Sequence, residues 1–292
     1  MLNSSINLYN TFREVAKSKS FSKASEKLET KKSTVSRNIS QLEDILNVKL
    51  LYRDNKGVRL TADGERLFEF IDKGISNFEA GEKLVKEKND IATGEITIGA
   101  LSHISHFYLM EKVKKLKKDY PNLRIKILTG ATGGNLVDML ESHKIDFALD
   151  STVMNLKNKD IQKEELKIIE NIFISNKPLD IKDLKELENL KLILGLENTT
   201  TSEELIELLK EHDVIIKPEI EIDITELKVD ATKMGLGLGY VMKDAVKNEL
   251  KNKELYEVKL PIELPSSSIN LLYLKGQLTN ISKKFIKEYL KK

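Results

Sequence analysis

The chain has 292 residues, 40% of them hydrophobic, with no cysteine and a formal net charge of +2. This length is enough for two domains, and the lack of cysteine excludes disulfide frameworks, thiolate metal sites and thiol redox switches. We find no apolar run of about 18 residues and no N-terminal signal segment, so we expect a cytoplasmic protein that does not enter the membrane.

The charges are distributed unevenly along the chain. Residues 1–60 contain 12 lysines and arginines against 6 aspartates and glutamates, whereas the remainder contains 36 against 40. A basic N-terminal unit on a mildly acidic body indicates that one end contacts a polyanion. The chain has six arginines, and their clustering suggests that the flat, multi-donor guanidinium is used there. Five of them lie in the first 66 residues: Arg13, Arg37, Arg53, Arg59 and Arg66.

Three short helices are predicted before residue 50, because apolar residues recur there every three or four positions. Ser20 and Ser22 are candidate caps for the second helix. The apolar positions are, helix by helix, Leu8, Phe12, Val15 and Ala16; Phe21, Ala24 and Leu28; and Val35, Ile39, Leu42 and Leu46.

The third predicted helix begins with a dense set of hydrogen-bond donors. Two helices joined by a short turn, the second with a polar N-terminal face, form the helix-turn-helix arrangement that places a helix in the major groove of DNA. The alternative is an ordinary solvated helix start, capped by Thr30 or Ser33. The donors that we place at the groove are Lys31, Lys32, Ser33, Thr34, Ser36 and Arg37.

A small wing and a long helix follow. Short apolar runs flank the turn residues 54–57, which predicts two antiparallel strands. The helical pattern from Thr61 to about Asn89 has Thr61 as its candidate cap and leaves an apolar stripe that nothing nearby in sequence covers. Pairing with a second copy is the natural way to bury it. The stripe consists of Leu67, Ile71, Ile75, Phe78 and Val85.

From Gly94 onward the pattern alternates between short apolar strands and amphipathic helices. We predict eight strands and seven helices between Glu95 and Lys291, which indicates an α/β sheet with parallel crossovers. The expected strands include residues 166–175 and 219–224, and the expected helices include 107–118 and 181–187.

The segment from Phe12 to Leu67 resembles the DNA-binding domain of LysR-type transcriptional regulators. The shared frame includes Ser20-Phe21, Val35-Ser36-Arg37, Leu42-Glu43 and Leu60-Thr61. Three later stretches, "TGEITIGA", "KIDFAL" and "MGLGLGYVM", resemble landmarks of the effector domain of the same family, so the likeness covers the whole chain.

The resemblance implies an α+β multi-domain chain. Residues 1–60 would form a winged helix-turn-helix domain, 61–92 a linker helix for dimerisation, and 93–292 an effector-binding domain. The last would be a two-subdomain α/β unit of the periplasmic-binding-protein-like type. Its first subdomain would comprise 93–163 and 268–292, and its second 164–267.

The resemblance also implies where the DNA would be bound. To the six donors already named it adds Arg53 and Arg59 on the wing. Many family members have Ser-Gln where this chain has Lys31-Lys32, and two lysines there would add attraction for phosphates.

A small effector, which we expect to be anionic, would bind in the crevice between the subdomains, near strand C-termini and helix N-termini. His103 stands where the family frequently has threonine. For each hydroxyl alone, capping a loop or helix is an equal alternative, and Thr201 with Glu204 has the spacing of a capping box. The candidate effector contacts are Ser102, His103, Thr129, Thr132, Thr199 and Thr200.

The sequence therefore predicts a DNA-binding transcriptional regulator that responds to a small molecule and works as a homodimer or homotetramer on promoter DNA. We expect no cofactor, no metal and no catalysis. The four histidines lack a metal-ligand spacing, and Gly235, Gly237 and Gly239 do not form a dinucleotide-binding loop. The alternative is a cytosolic solute-binding protein without regulatory DNA contact, which the basic N-terminal unit disfavours.

Overall fold

The computed structural model describes residues 5–54, 57–86, 94–130, 133–151, 156–197 and 199–291. The chain forms two compact units. The first comprises residues 1–86 with 141–143, and the second comprises the remainder. No helix among the described residues has both the length and the apolarity needed to cross a membrane.

The first unit is a helical domain with a two-stranded wing and a long helix. Its buried core is built from the predicted helical stripes, with Phe12, Val35 and Ile39 fully buried. The wing strands pair antiparallel from Leu51 opposite Leu60. The elements are α1 (Ile6–Ser18), α2 (Phe21–Lys27), α3 (Lys32–Leu46), β1 (Leu51–Asp54), β2 (Gly57–Leu60) and α4 (Ala62–Lys86).

Side-chain caps set two of these helix starts. The Ser20 hydroxyl accepts the backbone N–H of Lys23 and begins α2, as the sequence predicts. Thr61 Oγ1 accepts the N–H of Gly64 at 2.9 Å and begins α4. The alternative of a cap at Thr30 or Ser33 is wrong: α3 begins at Lys32, and Lys31 occupies the cap position without a side-chain capping bond.

Arg13 fastens α1 to α4 by a buried network. Its Nε lies 2.7 Å from Asp72 Oδ1, its Nη1 lies 2.7 Å from Glu79 Oε1, and its Nη2 donates to Ser76 Oγ at 3.1 Å. Lys17 adds a second cation to Asp72 at 2.6 Å. Arg13 is therefore an exception to the predicted polyanion-binding arginine cluster, because its guanidinium is used inside the domain.

The wing packs closely against the first turn of α4. A Cβ added at Gly64 would lie 2.1 Å from the backbone carbonyl oxygen of Leu50, which is closer than real Cβ atoms approach other atoms. The Leu50 carbonyl also accepts the Thr61 N–H at 3.0 Å. Position 64 therefore requires glycine for steric reasons alone.

The second unit is a mixed sheet covered by helices. The described residues form the strands β3 (Glu95–Leu101), β4 (Arg124–Gly130), β5 (Phe147–Asp150), β6 (Ile161–Ser175), β7 (Leu192–Leu194), β8 (Ile220–Glu221), β9 (Leu238–Met242), β10 (Tyr256–Val258) and β11 (Ser266–Leu274). The helices are α5 (Ser102–Ile104), α6 (Met110–Asp119), α7 (Gly133–Glu141), α8 (Thr200–Glu211), α9 (Thr225–Lys233), α10 (Lys247–Asn252) and α11 (Asn280–Phe285).

Two long antiparallel strands join two parallel sets. The order is β4-β3-β5-β11-β6-β9-β7-β8, with β10 paired to β6. β3 runs parallel to β4 and β5, β7 runs parallel to β8 and β9, and the pair β6 and β11 connects the two sets. The pairing of β6 with β11 shifts register between Ile269 and Asn270. Separate apolar cores lie around Phe147 and Phe173.

Several predicted boundaries in this unit differ from the structure. The helix predicted from residue 107 begins at Ser102 and includes a π-helical turn over Ser105–Leu109. The helix predicted at 181–187 is a 3-10 turn over Leu184–Asn189. The strand predicted at 219–224 is only Ile220–Glu221, and the three-residue β10 has no counterpart among the predicted strands.

Candidate functional site

The start of α3 presents its donors to solvent and its apolar side to the core. Among the predicted DNA contacts on this helix, Lys31, Lys32, Ser33 and Arg37 are exposed, and Thr34 and Ser36 are half-buried. Val35 lies between them and is fully buried. The structure thus gathers the six residues on one outward-facing end of a well-packed helix.

This helix end is electrostatically unusual. Its first turn contains no acidic residue, and no side chain caps it. The free N–H groups at a helix start already carry a partial positive charge, which acidic residues normally balance. Lys31 and Lys32 instead add positive charge at the same place. The arrangement is unfavourable in isolation and becomes favourable when an anion binds.

The wing supplies a further exposed cation. Arg59 of β2 is exposed and stands opposite Tyr52 of β1 in the antiparallel register, so the two share a face. Tyr52 is 58% exposed. It is not among the predicted DNA contacts, because a single aromatic residue on a short strand does not indicate such a contact. The side chain of Arg53 lies outside the described residues.

A buried carboxylate holds the end of α3 against the wing. Glu43 is only 4% exposed, and its Oε1 accepts the N–H of Leu50 at 2.9 Å and of Leu51 at 3.3 Å. Lys49 Nζ lies 2.8 Å from its other oxygen. Burial opposes the charged form, but Lys49 and the two amides outweigh it, so the pKa of Glu43 is lowered.

The predicted effector contacts divide into several environments. Ser102 is exposed at the start of α5, and Thr129 is exposed on the edge strand β4. Thr199 precedes α8, and its Oγ1 lies 2.9 Å from both the Leu196 carbonyl oxygen and Ser202 Oγ. Thr132 and the side chain of Thr200 lie outside the described residues.

His103 has the most perturbed environment of this set. Its Nε2 lies 3.2 Å from Ser151 Oγ, and its ring stacks on Phe107 with 6.2 Å between centroids. Burial, helped by the nearby charge of Lys228, lowers the pKa of His103 to about 4. The pKa of Lys228 is itself lowered to about 8 by burial, against the opposing effect of Asp223 and Glu226. His103 is therefore neutral at physiological pH.

The second unit contains two cavities near the predicted effector region. Of the predicted effector contacts whose side chains are described, His103 alone lines one of them. The smaller, of about 140 Å³, is lined by Ser151, Glu165, Ile168, Thr201, Glu204, Ser266, Ser267 and Ser268. The larger, of about 190 Å³, is lined by His103, His106, Phe107, Thr225, Glu226, Val229, Asp230, Ala245 and Glu249.

The structure adds residues that the sequence reasoning did not select. The run Ser266, Ser267 and Ser268 was a visible signal, but its place beside β6 follows only from strand pairing. The capping box expected from Thr201 and Glu204 is wrong, because α8 begins at Thr200 and both residues lie inside the helix. Within the described ranges, no group of three or more histidine or acidic side chains is arranged to hold a metal ion.

Family models match nearly the whole chain. Residues 6–65 match the bacterial regulatory helix-turn-helix protein, lysR family, and residues 90–292 match the LysR substrate binding domain. Together the two models include the α3 donors and both cavities.

Individual proteins show the same likeness along the full length. The chain is 26% identical to the HTH-type transcriptional regulator YofA of Bacillus velezensis, covering 90% of this chain and 89% of the relative. It is 26% identical to the HTH-type transcriptional regulator CzcR of Bacillus subtilis, covering 94% and 93%. The full-length structure of CbnR complexed with its target DNA superposes with a TM-score of 0.71 at 15% identity, covering 98% and 99%.

Proposed function

Since the chain belongs to the LysR family of DNA-binding transcriptional regulators, we propose that the first turns of α3 are the part that reads promoter DNA. The observation that carries this is the uncapped, acid-free helix start with two lysines. Phosphate groups satisfy the free amides and neutralise Lys31 and Lys32 together.

Within this interface, the residues have different roles. Arg37 lies one to two turns into α3 and is exposed, so it reaches base edges and can fork onto guanine. Ser33, Thr34 and Ser36 offer hydroxyls to phosphates or bases. Lys31 and Lys32 hold phosphates without reading sequence. Arg53 and Arg59 of the wing contact the backbone beside the groove.

We further propose that the effector domain comprises residues 93–292, with subdomains 93–163 plus 268–292 and 164–267. The family's regulators bind small-molecule effectors in this domain. The candidate contacts remain Ser102, His103, Thr129, Thr132, Thr199 and Thr200, and the nearby cavities support a ligand site in this region. Effector binding would shift the population of subdomain arrangements and so change promoter binding.

Assembly would use the exposed apolar face of α4. Phe78 is 63% exposed and Val85 is 86% exposed, while Phe70, which the sequence reasoning did not select, is 76% exposed. Leu67 instead packs against the core of its own domain. LysR regulators act as oligomers, and this face fits pairing with a second copy. Light scattering of Phe78→Glu should then give a smaller particle than the wild-type chain.

We propose no catalytic role and a cytoplasmic location, where a regulator meets chromosomal DNA.

The DNA-reading role is tested first. A DNA duplex that the protein binds is found by selection from a random-sequence pool. Arg37→Ala should then weaken binding to the selected duplex by about 1–3 kcal/mol. Glu26→Ala, on the exposed surface of α2, is the control. Equal binding by wild type and Arg37→Ala would remove Arg37 from the interface.

The sensing role is tested with the same duplex. Thr132→Val and Ser102→Ala delete hydroxyls while preserving approximate shape, and both should leave basal DNA binding intact. If either residue contacts the effector, its loss should weaken the response by about 0.5–3 kcal/mol of ligand affinity. A variant that loses DNA binding and response together would have a structural role instead.

A further inference from the structure

The smaller cavity has an acidic and hydroxyl-rich wall. Glu165 of β6 and Glu204 of α8 both line it, and no lysine, arginine or histidine does so among the described residues. Ile168, 62% exposed, contributes an apolar surface. The remaining lining residues all carry hydroxyls: Ser151, Thr201, Ser266, Ser267 and Ser268.

The two carboxylates lack compensating cations. Over the described part of the chain, neither Glu165 nor Glu204 forms an ion pair or a side-chain hydrogen bond. Burial and the neighbouring Glu207 raise the pKa of Glu204, which reports an environment that disfavours negative charge.

Two buried residues beside the cavity lining give an independent observation. Asn171 is 3% exposed, and its amide donates to Ser267 Oγ at 2.9 Å. Tyr240, 1% exposed, lies beside Asn171 and within the field of Glu204. Its hydroxyl has no partner of hydrogen-bond geometry in the described structure. Unsatisfied buried hydroxyls are rare in native proteins, so this one marks the polar interior beside the cavity lining as a place that lacks a hydrogen-bond partner.

We propose that this cavity binds the protonated amine of a small aliphatic ligand, with Glu165 and Glu204 as its charge partners. An ammonium group donates three hydrogen bonds and accepts none. The two carboxylates and the five hydroxyls of the lining match that requirement. A carboxylate ligand would face two negative charges. Lys228 does not offset them, because it lies near His103 and its charge is already opposed by Asp223 and Glu226. The inference rests on the proposed effector-sensing function and departs from the anionic effector expected from the sequence.

Three probes of similar length and different charge test this. Full-length chain is titrated calorimetrically with 1,4-diaminobutane, butane-1,4-diol and succinate at pH 7.5. The diamine should bind at least tenfold more tightly than the diol, and succinate should not bind. Glu165→Gln and Glu204→Gln should each weaken diamine binding at least tenfold. Glu203→Gln, exposed on the same helix and outside the cavity, should bind like wild type.

The alternative outcomes are distinct. Succinate binding more tightly than the diamine, and lost in Ser102→Ala, would keep the effector site and overturn the charge assignment. Diamine binding unchanged in both glutamine variants would place the ligand elsewhere and overturn the cavity. Failure of all three probes to bind would also overturn the proposal. DNA binding by the same samples, measured in parallel, reports on the regulatory function separately.

Discussion

The Glu43 carboxylate accepts the backbone N–H of Leu50 at 2.9 Å and so ties the last turns of α3 to the start of the wing. The contact is buried, and it crosses the turn in which Asn47 adopts a left-handed backbone conformation at φ 53°. One acidic side chain thereby joins the two elements that we propose to contact DNA.

Glu43→Gln should destabilise the DNA-binding domain, because the amide replaces a charged acceptor and loses the pairing with Lys49. We expect about 1–3 kcal/mol at pH 7. The folded pKa of Glu43 is depressed, so its contribution is full above the unfolded pKa and is lost as pH falls through the folded value. Denaturant unfolding at pH 7 and below pH 4.5 checks both points.

The matched control for Glu43 is Glu26→Gln on the exposed face of α2. It should change the free energy of unfolding by less than about 0.5 kcal/mol. The assignment would be wrong if the Glu43→Gln penalty were the same at both pH values.

Arg13→Met should be more damaging than loss of any exposed arginine. It leaves Asp72 and Glu79 without their shared partner, and breaking a buried ion pair costs about 3–5 kcal/mol. The remaining Lys17 contact with Asp72 places the expected loss toward the lower end. Thermal unfolding of the full chain measures it.

Arg66→Ala serves as the comparison for Arg13→Met. Its ion pair with Asp63 is exposed and 3.8 Å long, so its loss should cost less than about 1 kcal/mol. Similar melting temperatures for the two variants would contradict a structural role for Arg13.

Lys31→Ala should weaken binding to all DNA sequences alike. A lysine that holds one phosphate contributes about one unit to the slope of log affinity against log salt concentration. Fluorescence anisotropy on selected and scrambled duplexes across 50–200 mM salt gives this slope. A loss confined to the selected duplex would indicate that Lys31 reads a base, and an unchanged slope would remove it from the phosphate contacts.

His103 should make the effector domain sensitive to acid. Its pKa of about 4 lies below the ordinary 6.5, so the unfolded chain binds more protons between these values. The stability is therefore full above pH 6.5 and falls as pH decreases, by about 1–2 kcal/mol at pH 5. His103→Gln should remove this part of the decline.

The measurement for His103 is denaturant unfolding at pH 7.5 and pH 5, alongside an NMR titration of its ring. His212→Gln, exposed after α8, should keep the wild-type decline. A ring that titrates near 6.5 would show that neither burial nor Lys228 acts on it as the structure indicates.

The sequence predicted the DNA-binding unit well because its elements carry their own local signals. Apolar spacing defined α1, α2 and α3, and hydroxyl caps defined the starts of α2 and α4. Buried charges gave no such signal. Arg13 and Glu43 look like surface residues in an amphipathic pattern, and their partners lie 59 and 7 positions away.

The smaller cavity was harder to predict, because strands that are far apart in the sequence form its wall. Ser267 reaches Asn171 across 96 positions, and only the pairing of β6 with β11 brings them together. The hydroxyls chosen from loop positions followed the family pattern. The carboxylates Glu165 and Glu204 also line the cavity, and no local pattern in the sequence marks them.

The contact at Gly64 has a mechanical consequence. No side chain lies between the first turn of α4 and the Leu50 carbonyl, so the two backbone segments pack directly against each other. We therefore expect the wing to move together with α4 when α4 rotates about its axis. In a scan of all substitutions, position 64 should tolerate replacement as poorly as the fully buried Phe12, although its backbone makes no demand for glycine.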